Sequence, residues 1–299
     1  MKSPAAILDR NFLEKLERLA LRWQRSFPGL VGGTNRSHFS GPGQEFLDHR
    51  HFQHGDDVRS VNWRAYLRLE KLFLKMFQVE PRVPVRLLLD VSESMTTGAI
   101  PKFDYARGLA AALCYVGLVR LDSITVRPFS DRFGDPFLCN GGRHSVGPAL
   151  RYLEGLRPGG RTNFMEVARQ FVAGTAQRGL IIVISDFCDE RDCSRPLEYL
   201  ADFGHELLLI HVWAEEDRTP PWEGDLDLRD AETGGTLEIA LGPRARQAYT
   251  EAFDGWARSI QQAAARQGGR YIGLSTSVPL EEAVFGPLVA SGGLDRCSS

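Results

Sequence analysis

Val85-Arg86-Leu87-Leu88-Leu89-Asp90-Val91-Ser92-Glu93-Ser94-Met95 is the stretch that decides how this chain folds. A run so apolar, ended by a carboxylate and followed by a polar loop, reads as a strand covered on both faces that delivers Asp90 to the rim of a sheet. The same grammar recurs at 124–129, 179–186, 206–213 and 270–274. A helix beginning near Phe103 follows the first run, and helical stretches at 146–154, 164–176, 195–203 and 244–267 separate most of the others. Alternation of strands and helices implies mostly parallel pairing through right-handed crossovers. The expected fold is α/β: a doubly wound, mostly parallel sheet with helices on both faces. Between 225 and 239 the chain turns polar around Gly234-Gly235, which predicts a surface hairpin ahead of the last long helix.

Upstream, Phe12, Leu16, Leu19 and Trp23 fall at helical spacing and predict one amphipathic helix over 11–23. A Gly/Ser/Asn-rich stretch at 28–43 interrupts regular structure. A polar, aromatic-dotted run over 45–80 follows and is closed by Pro81 and Pro84. The predicted division is an accessory segment at 1–83 and the α/β domain at 84–299. With 299 residues, 43% of them hydrophobic, such a domain can fill its own core. A formal net charge of -2 names no nucleic-acid or membrane partner. Cys114, Cys139, Cys188, Cys193 and Cys297 are odd in number and scattered, so reduced thiols are expected rather than a disulfide framework. Charged residues throughout 2–18 exclude an ordinary signal peptide, and the most apolar helical candidate, 106–119, is shorter than the ~20 residues a bilayer needs. A cytoplasmic protein with no membrane span is the expectation.

Ligands of open parallel sheets bind outside the carboxyl ends of the strands. There the first strand offers Asp90, Ser92 and Ser94, the loop at 158–163 offers Thr162 just before a helix, and a later strand offers Ser185 and Asp186. All are hard oxygen donors. Magnesium takes about six oxygens near ~2.1 Å and keeps waters readily. Ser92, Ser94 and Thr162 are the candidates for direct contact, with Asp90 and Asp186 acting through bound waters. Mn2+ or Ca2+ could serve in place of Mg2+. A cation with so little direct negative charge stays electrophilic and should accept a Glu or Asp carboxylate from a protein partner. The bland reading of Asp90, Ser92 and Ser94 is a capped turn. Thr162 could likewise be an N-cap, although Asn163 can fill that role instead.

Asp90-Val-Ser-Glu-Ser-Met95 resembles the D-x-S-x-S motif of von Willebrand factor A domains, with Thr162 and Asp186 at the places of that family's later ligands. Ahead of it, Gly43-Gln-Glu-Phe-Leu-Asp-His-Arg-His-Phe-Gln-His-Gly-Asp-Asp-Val-Arg-Ser-Val-Asn-Trp-Arg-Ala-Tyr-Leu-Arg68 resembles the signature of the bacterial DUF58 family. Asn62 stands there for the usual Asp, and Leu67 precedes Arg68. Residues 230–235 and 249–267 extend the likeness over nearly the whole chain. What the resemblance implies is a non-enzymatic, metal-binding adaptor with a MIDAS-like Mg2+ site, often working beside a MoxR-type AAA+ ATPase that it couples to a client protein.

Two other functions compete. Magnesium-dependent phosphoryl transfer of the haloacid dehalogenase type also starts from a strand-ending Asp, but its general acid lies two positions on, where this chain has Ser92. Nucleic-acid binding through 50–75 would use Arg59, Arg64, Arg68, Lys71 and Lys75 interleaved with Trp63, Tyr66 and Phe73. Glu45, Asp48, Asp56 and Asp57 blunt that attraction, so no nucleic acid is expected. His38, His49, His51 and His54 have no standard zinc spacing. Cys188 and Cys193 match no common redox motif, and no Walker-type or G-x-S-x-G loop is present.

Overall fold

The structure is a computed structural model and describes residues 8–22, 45–53, 61–78, 84–175, 177–189 and 193–296. The first elements are α1 (Arg10–Leu16), β1 (Leu19–Leu21), β2 (Glu45–His51), α2 (Trp63–Leu69) and β3 (Phe73–Gln78). Next come β4 (Val85–Asp90), α3 (Lys102–Val119), β5 (Ile124–Phe129), β6 (Phe137–Cys139), α4 (Val146–Gly155) and α5 (Phe164–Ala173). They are followed by β7 (Leu180–Ser185), α6 (Ser194–Asp202), β8 (Glu206–Trp213) and α7 (Glu215–Arg218). The chain closes with β9 (Gly224–Arg229), β10 (Thr236–Leu241), α8 (Pro243–Arg266), β11 (Arg270–Ser275), α9 (Leu280–Ala283) and β12 (Leu294–Arg296). Residues 1–25 group with 84–299 in one compact unit, and 26–83 make a second.

In the larger unit a six-stranded sheet runs in the order β11-β8-β7-β4-β5-β6. Every neighbouring pair is parallel except the edge strand β6, which is antiparallel to β5. The α/β expectation holds, and the strands at 124–129 and 206–213 begin and end where the sequence puts them. Every residue of β4 and β7 is buried, which is why both read as unbroken apolar runs. Because side chains alternate across a sheet, Leu88, Ile181, Val183, Leu207 and Leu209 share one face and pack with Phe171, Leu197 and Ile260 from α5, α6 and α8. Leu87, Leu89, Ile182 and Ile184 are buried on the other, where α3 packs across β4, β5, β7 and β8. Fifteen of the 18 residues of α3 are buried, so it lacks the single apolar stripe of a surface helix. Gly117 permits its closest approach: a Cβ there would lie 2.6 Å from Ile124 Cδ1.

The helix expected over 11–23 ends early. Asp9 caps α1 by accepting from Phe12 N at 2.7 Å, the helix stops at Leu16, and Leu19–Leu21 pairs antiparallel with Leu294–Arg296. Leu16 and Leu19 are three apart, which suits a helix face, while Leu19 and Leu21 are two apart, which suits a strand. A partner strand from the far end of the sequence decides in favour of the strand, and nothing local announces it. Trp23 lies outside the described residues.

Within the 26–83 unit, β2 and β3 pair antiparallel, with a register shift between Phe46 and Asp48. Asn62 caps α2, accepting from Ala65 N at 3.3 Å. Asn caps as well as Asp does, so the departure from the family signature keeps this local role. Asp56, Asp57 and Arg59 of that signature, with His38 and His54, lie outside the described residues.

Leu16 is fully buried on a helix that packs against α3. Leu16→Ala is therefore expected to lower the unfolding free energy by about 2–5 kcal/mol, read from the denaturant midpoint. A midpoint equal to that of the wild type would mean that α1 is no part of this core.

Candidate metal centre

Central strands β4 and β7 end side by side, and their last residues are polar although they have no exposed surface. Asp90 closes β4; its Oδ1 accepts from Ser92 N at 2.9 Å and its Oδ2 from Ser185 Oγ at 2.5 Å. Ser185 Oγ in turn accepts from Phe187 N at 2.8 Å. One carboxylate thus folds the loop after β4 back on itself and ties it to the end of β7. The turn brings Ser92 Oγ and Ser94 Oγ to 2.9 Å from each other. Ser92 is fully buried, and Ser94 lines a cavity of about 640 Å³ at the rim.

Asp186, the next residue after β7, is 1% exposed. Its Oδ1 accepts from Cys188 N at 3.1 Å and its Oδ2 from Lys102 Nζ at 2.7 Å. Phe187 holds a left-handed backbone (φ 54) that a side chain normally avoids. Its ring stacks on Phe164 at 5.3 Å, which fixes the turn that presents Asp186.

Thr162 reaches the same rim by a different route. Gly159 N donates to Val91 O at 2.6 Å and Glu93 N donates to Gly160 O at 2.9 Å, laying the 158–163 loop along the loop after β4. Gly160 takes φ +89 to make that approach. Asn163 caps α5 through Glu166 N at 3.1 Å, leaving the Thr162 side chain free of capping duty. Its Oγ1 donates to Glu232 Oε1 at 2.9 Å, and its N donates to Glu232 Oε2 at 3.1 Å. Asp90, Ser92, Ser94 and Asp186 are therefore joined directly or through adjacent residues, and Thr162 joins them through its loop and through Glu232, which lines the cavity with Ser94.

Three partners escaped the sequence reading. Lys102, 2% exposed, bonds Asp186 and also lies 3.0 Å from Asp217 Oδ2. A lysine at the first position of a helix opposes the helix dipole, and that local conflict is the one sequence signal that marks it. Glu232 sits at the tip of the β9–β10 hairpin, whose turn is built by Asp230 Oδ1 accepting from Glu232 N and Thr233 N. Turn chemistry predicts the turn, but only the tertiary fold says what it touches. Asp189 caps the start of α5, accepting from Phe164 N at 2.9 Å.

The charges do not balance. Burial, and then the neighbouring Asp186 carboxylate, raise the Asp90 carboxyl from its ordinary 3.8 to about 7. Burial works to lower the Lys102 ammonium, yet Asp186 and Asp217 hold it above its ordinary value. Lys102 is shared by buried Asp186 and partly exposed Asp217 and is not bonded to Asp90, while Ser94 beside them lines the open cavity. Oxygen donors with a local deficit of positive charge fit a hard divalent cation.

Over 249 residues the chain is 26% identical to an uncharacterized protein of Mycobacterium tuberculosis, covering 82% of this chain and 78% of that one. A Mycobacterium avium protein is 38% identical over 76 residues, 25% of this chain and 44% of its own. Among solved structures, the conserved hypothetical protein BatB from Bacteroides thetaiotaomicron is similar at 21% identity, covering 70% of this chain and 98% of that chain with a TM-score of 0.42. A von Willebrand factor type A structure from Catenulispora acidiphila is similar at 12% identity, covering 70% and 42%, with a TM-score of 0.40. At such scores the fold stands on this chain's own strand order. Residues 48–256 match the family described as protein of unknown function DUF58, and the chain belongs to that family.

Proposed function

We propose that this chain is a non-enzymatic adaptor that binds a protein partner through a divalent cation, Mg2+ in the first instance, held at the ends of β4 and β7. Ser92, Ser94 and Thr162 would hold the ion directly, with Asp90 and Asp186 acting through bound waters. The ion would supply Lewis acidity towards a Glu or Asp side chain offered by the partner. The observation that carries this reading is the donor set itself: two hydroxyls in mutual contact, that of Ser94 from a residue lining a cavity, beside buried Asp90 and Asp186, of which Asp186 alone is bonded to Lys102. A hydroxyl ligates through a lone pair and keeps its proton, so Thr162 can serve the ion and still donate to Glu232. In the wider reading that family resemblance suggests, a MoxR-type AAA+ ATPase supplies the energy and this chain links it to a client. The accessory stretch ahead of Pro84 would then help to present the partner surface. Among the described residues no helix is long and apolar enough to cross a membrane.

Phosphoryl transfer through Asp90 fits less well. Both of its oxygens are engaged, its exposure is 0%, and its carboxyl is biased towards the neutral form, whereas a nucleophile needs access and charge.

Titrating the full chain with Mg2+ calorimetrically tests the site. Asp90→Ala is expected to weaken binding about tenfold or more and to abolish Mg2+-dependent association with the partner, while the circular dichroism spectrum stays the same. Equal binding by the variant would remove the mechanism, and phosphatase turnover that depends on Asp90 would replace it.

A second test follows from the charge. Between about pH 4 and 7 the folded chain keeps a proton on Asp90 that the unfolded chain has released, so without metal stability falls as pH rises through that window and levels off above it. Asp90→Asn removes the repulsion. In chelator at pH 8 it should melt above the wild type, at pH 4 the gain should vanish, and in excess Mg2+ the order should reverse. A variant that melts below the wild type at every pH in chelator would show that no such repulsion exists.

A further inference from the structure

The β9–β10 hairpin buries very little of itself. Of its 12 strand residues only Leu241 is buried, and Leu228 and Leu237 are 38% and 61% exposed. A two-stranded ribbon with so little apolar contact is marginal on its own and takes its position from whatever its ends touch. At its base Arg246 donates to Trp222 O and to Glu223, and at its tip the contacts converge on one residue. Glu232 accepts from Thr162 N at 3.1 Å and Thr162 Oγ1 at 2.9 Å through its carboxylate, and from Arg161 Nε at 3.2 Å through its carbonyl. The carboxylate therefore lies against the one candidate ligand that comes from the 158–163 loop, in the cavity that Ser94 also lines.

We infer that Glu232 is the site's resident occupant: its carboxylate holds the position that an external acidic side chain must take, so the hairpin tip has to lift before a partner can bind. The inference rests on the metal reading above and adds its regulation. It also describes the partner chemically. A successful competitor must offer a side-chain carboxylate on a turn narrow enough to follow the path of 230–235, next to a cavity walled by Tyr249, Phe253 and Trp256. The closure is reversible because its contacts are few and solvent-accessible at the edge: Glu232 is half-buried and the flanking Ala231 and Thr233 are exposed. A partner carboxylate gains only the difference between its own contacts and those of Glu232, which lowers its apparent affinity by the fraction of time that the tip is down.

The test uses the full chain loaded with Mn2+, acetate as the probe carboxylate read by metal-enhanced carbon relaxation, and amide hydrogen exchange over 224–241. Glu232→Gln and Glu232→Ala are both expected to bind acetate about tenfold more tightly than the wild type, with Mn2+ affinity changed by less than about threefold. Exchange across the hairpin should accelerate about tenfold or more in both variants. Unchanged acetate affinity, unchanged hairpin exchange, or a loss of Mn2+ binding in the Glu232 variants would overturn the inference, the last because Glu232 would then be a permanent ligand. Those outcomes leave the metal site standing so long as wild type binds Mn2+ and Asp90→Ala binds it about tenfold or more weakly. A wild type that fails to bind Mn2+ overturns both.

Discussion

The rim of the sheet depends on one group that has no contact with solvent. Asp90 accepts from the backbone of its own loop and from Ser185 on the neighbouring strand, so its carboxylate ties the loop after β4 to the end of β7. A buried carboxylate left without partners would be costly, and here hydrogen bonds offset part of that cost while Asp186 adds to it. The residue sits in an environment that favours its neutral form, at the place where a cation would favour the charged one. Structure and chemistry pull against each other at this point, which is the usual mark of a site rather than of a core.

Lys102 answers the same imbalance from the other side. A lysine at the start of α3 faces unpaired backbone N–H groups and gains nothing from the helix it begins. It is fixed there by Asp186 and Asp217, with only 2% of its surface exposed. Its ammonium is a built-in positive charge that holds the Asp186 side chain in place through the 2.7 Å bond to Oδ2. Removing one member of such a buried set costs more than the pair contributes, because the survivor is left uncompensated.

Much of this was legible in the chain. Five of the six strands of the main sheet, and five helices that flank them, follow from apolar runs alternating with amphipathic stretches, because a strand buried on both faces has no polar register to hide. That Asp90, Ser92 and Ser94 gather at one strand end follows from their spacing, with a capped turn as open a reading as a ligand set. What spacing cannot give is who comes from far away. The Leu19–Leu21 strand looked like the end of a helix because its partner lies at Leu294–Arg296. Glu232 looked like an ordinary turn residue because the Thr162 it touches is 70 positions distant. The short edge strand β6, only three residues long, carries too few residues for any period to show.

The pairing of β1 with β12 has a consequence for how the chain is made. The two partners lie more than 270 positions apart, so during synthesis β1 leaves the ribosome long before the strand that completes it. The 26–83 unit, whose β2–β3 pairing is local, can form in that interval. Leu19 and Leu21 stay without that partner until 294–296 have been made, so closure of this ladder waits for residues more than 270 positions downstream. A chain that stops short of 294 leaves Leu19 and Leu21, both buried in the folded unit, without the strand they pair with.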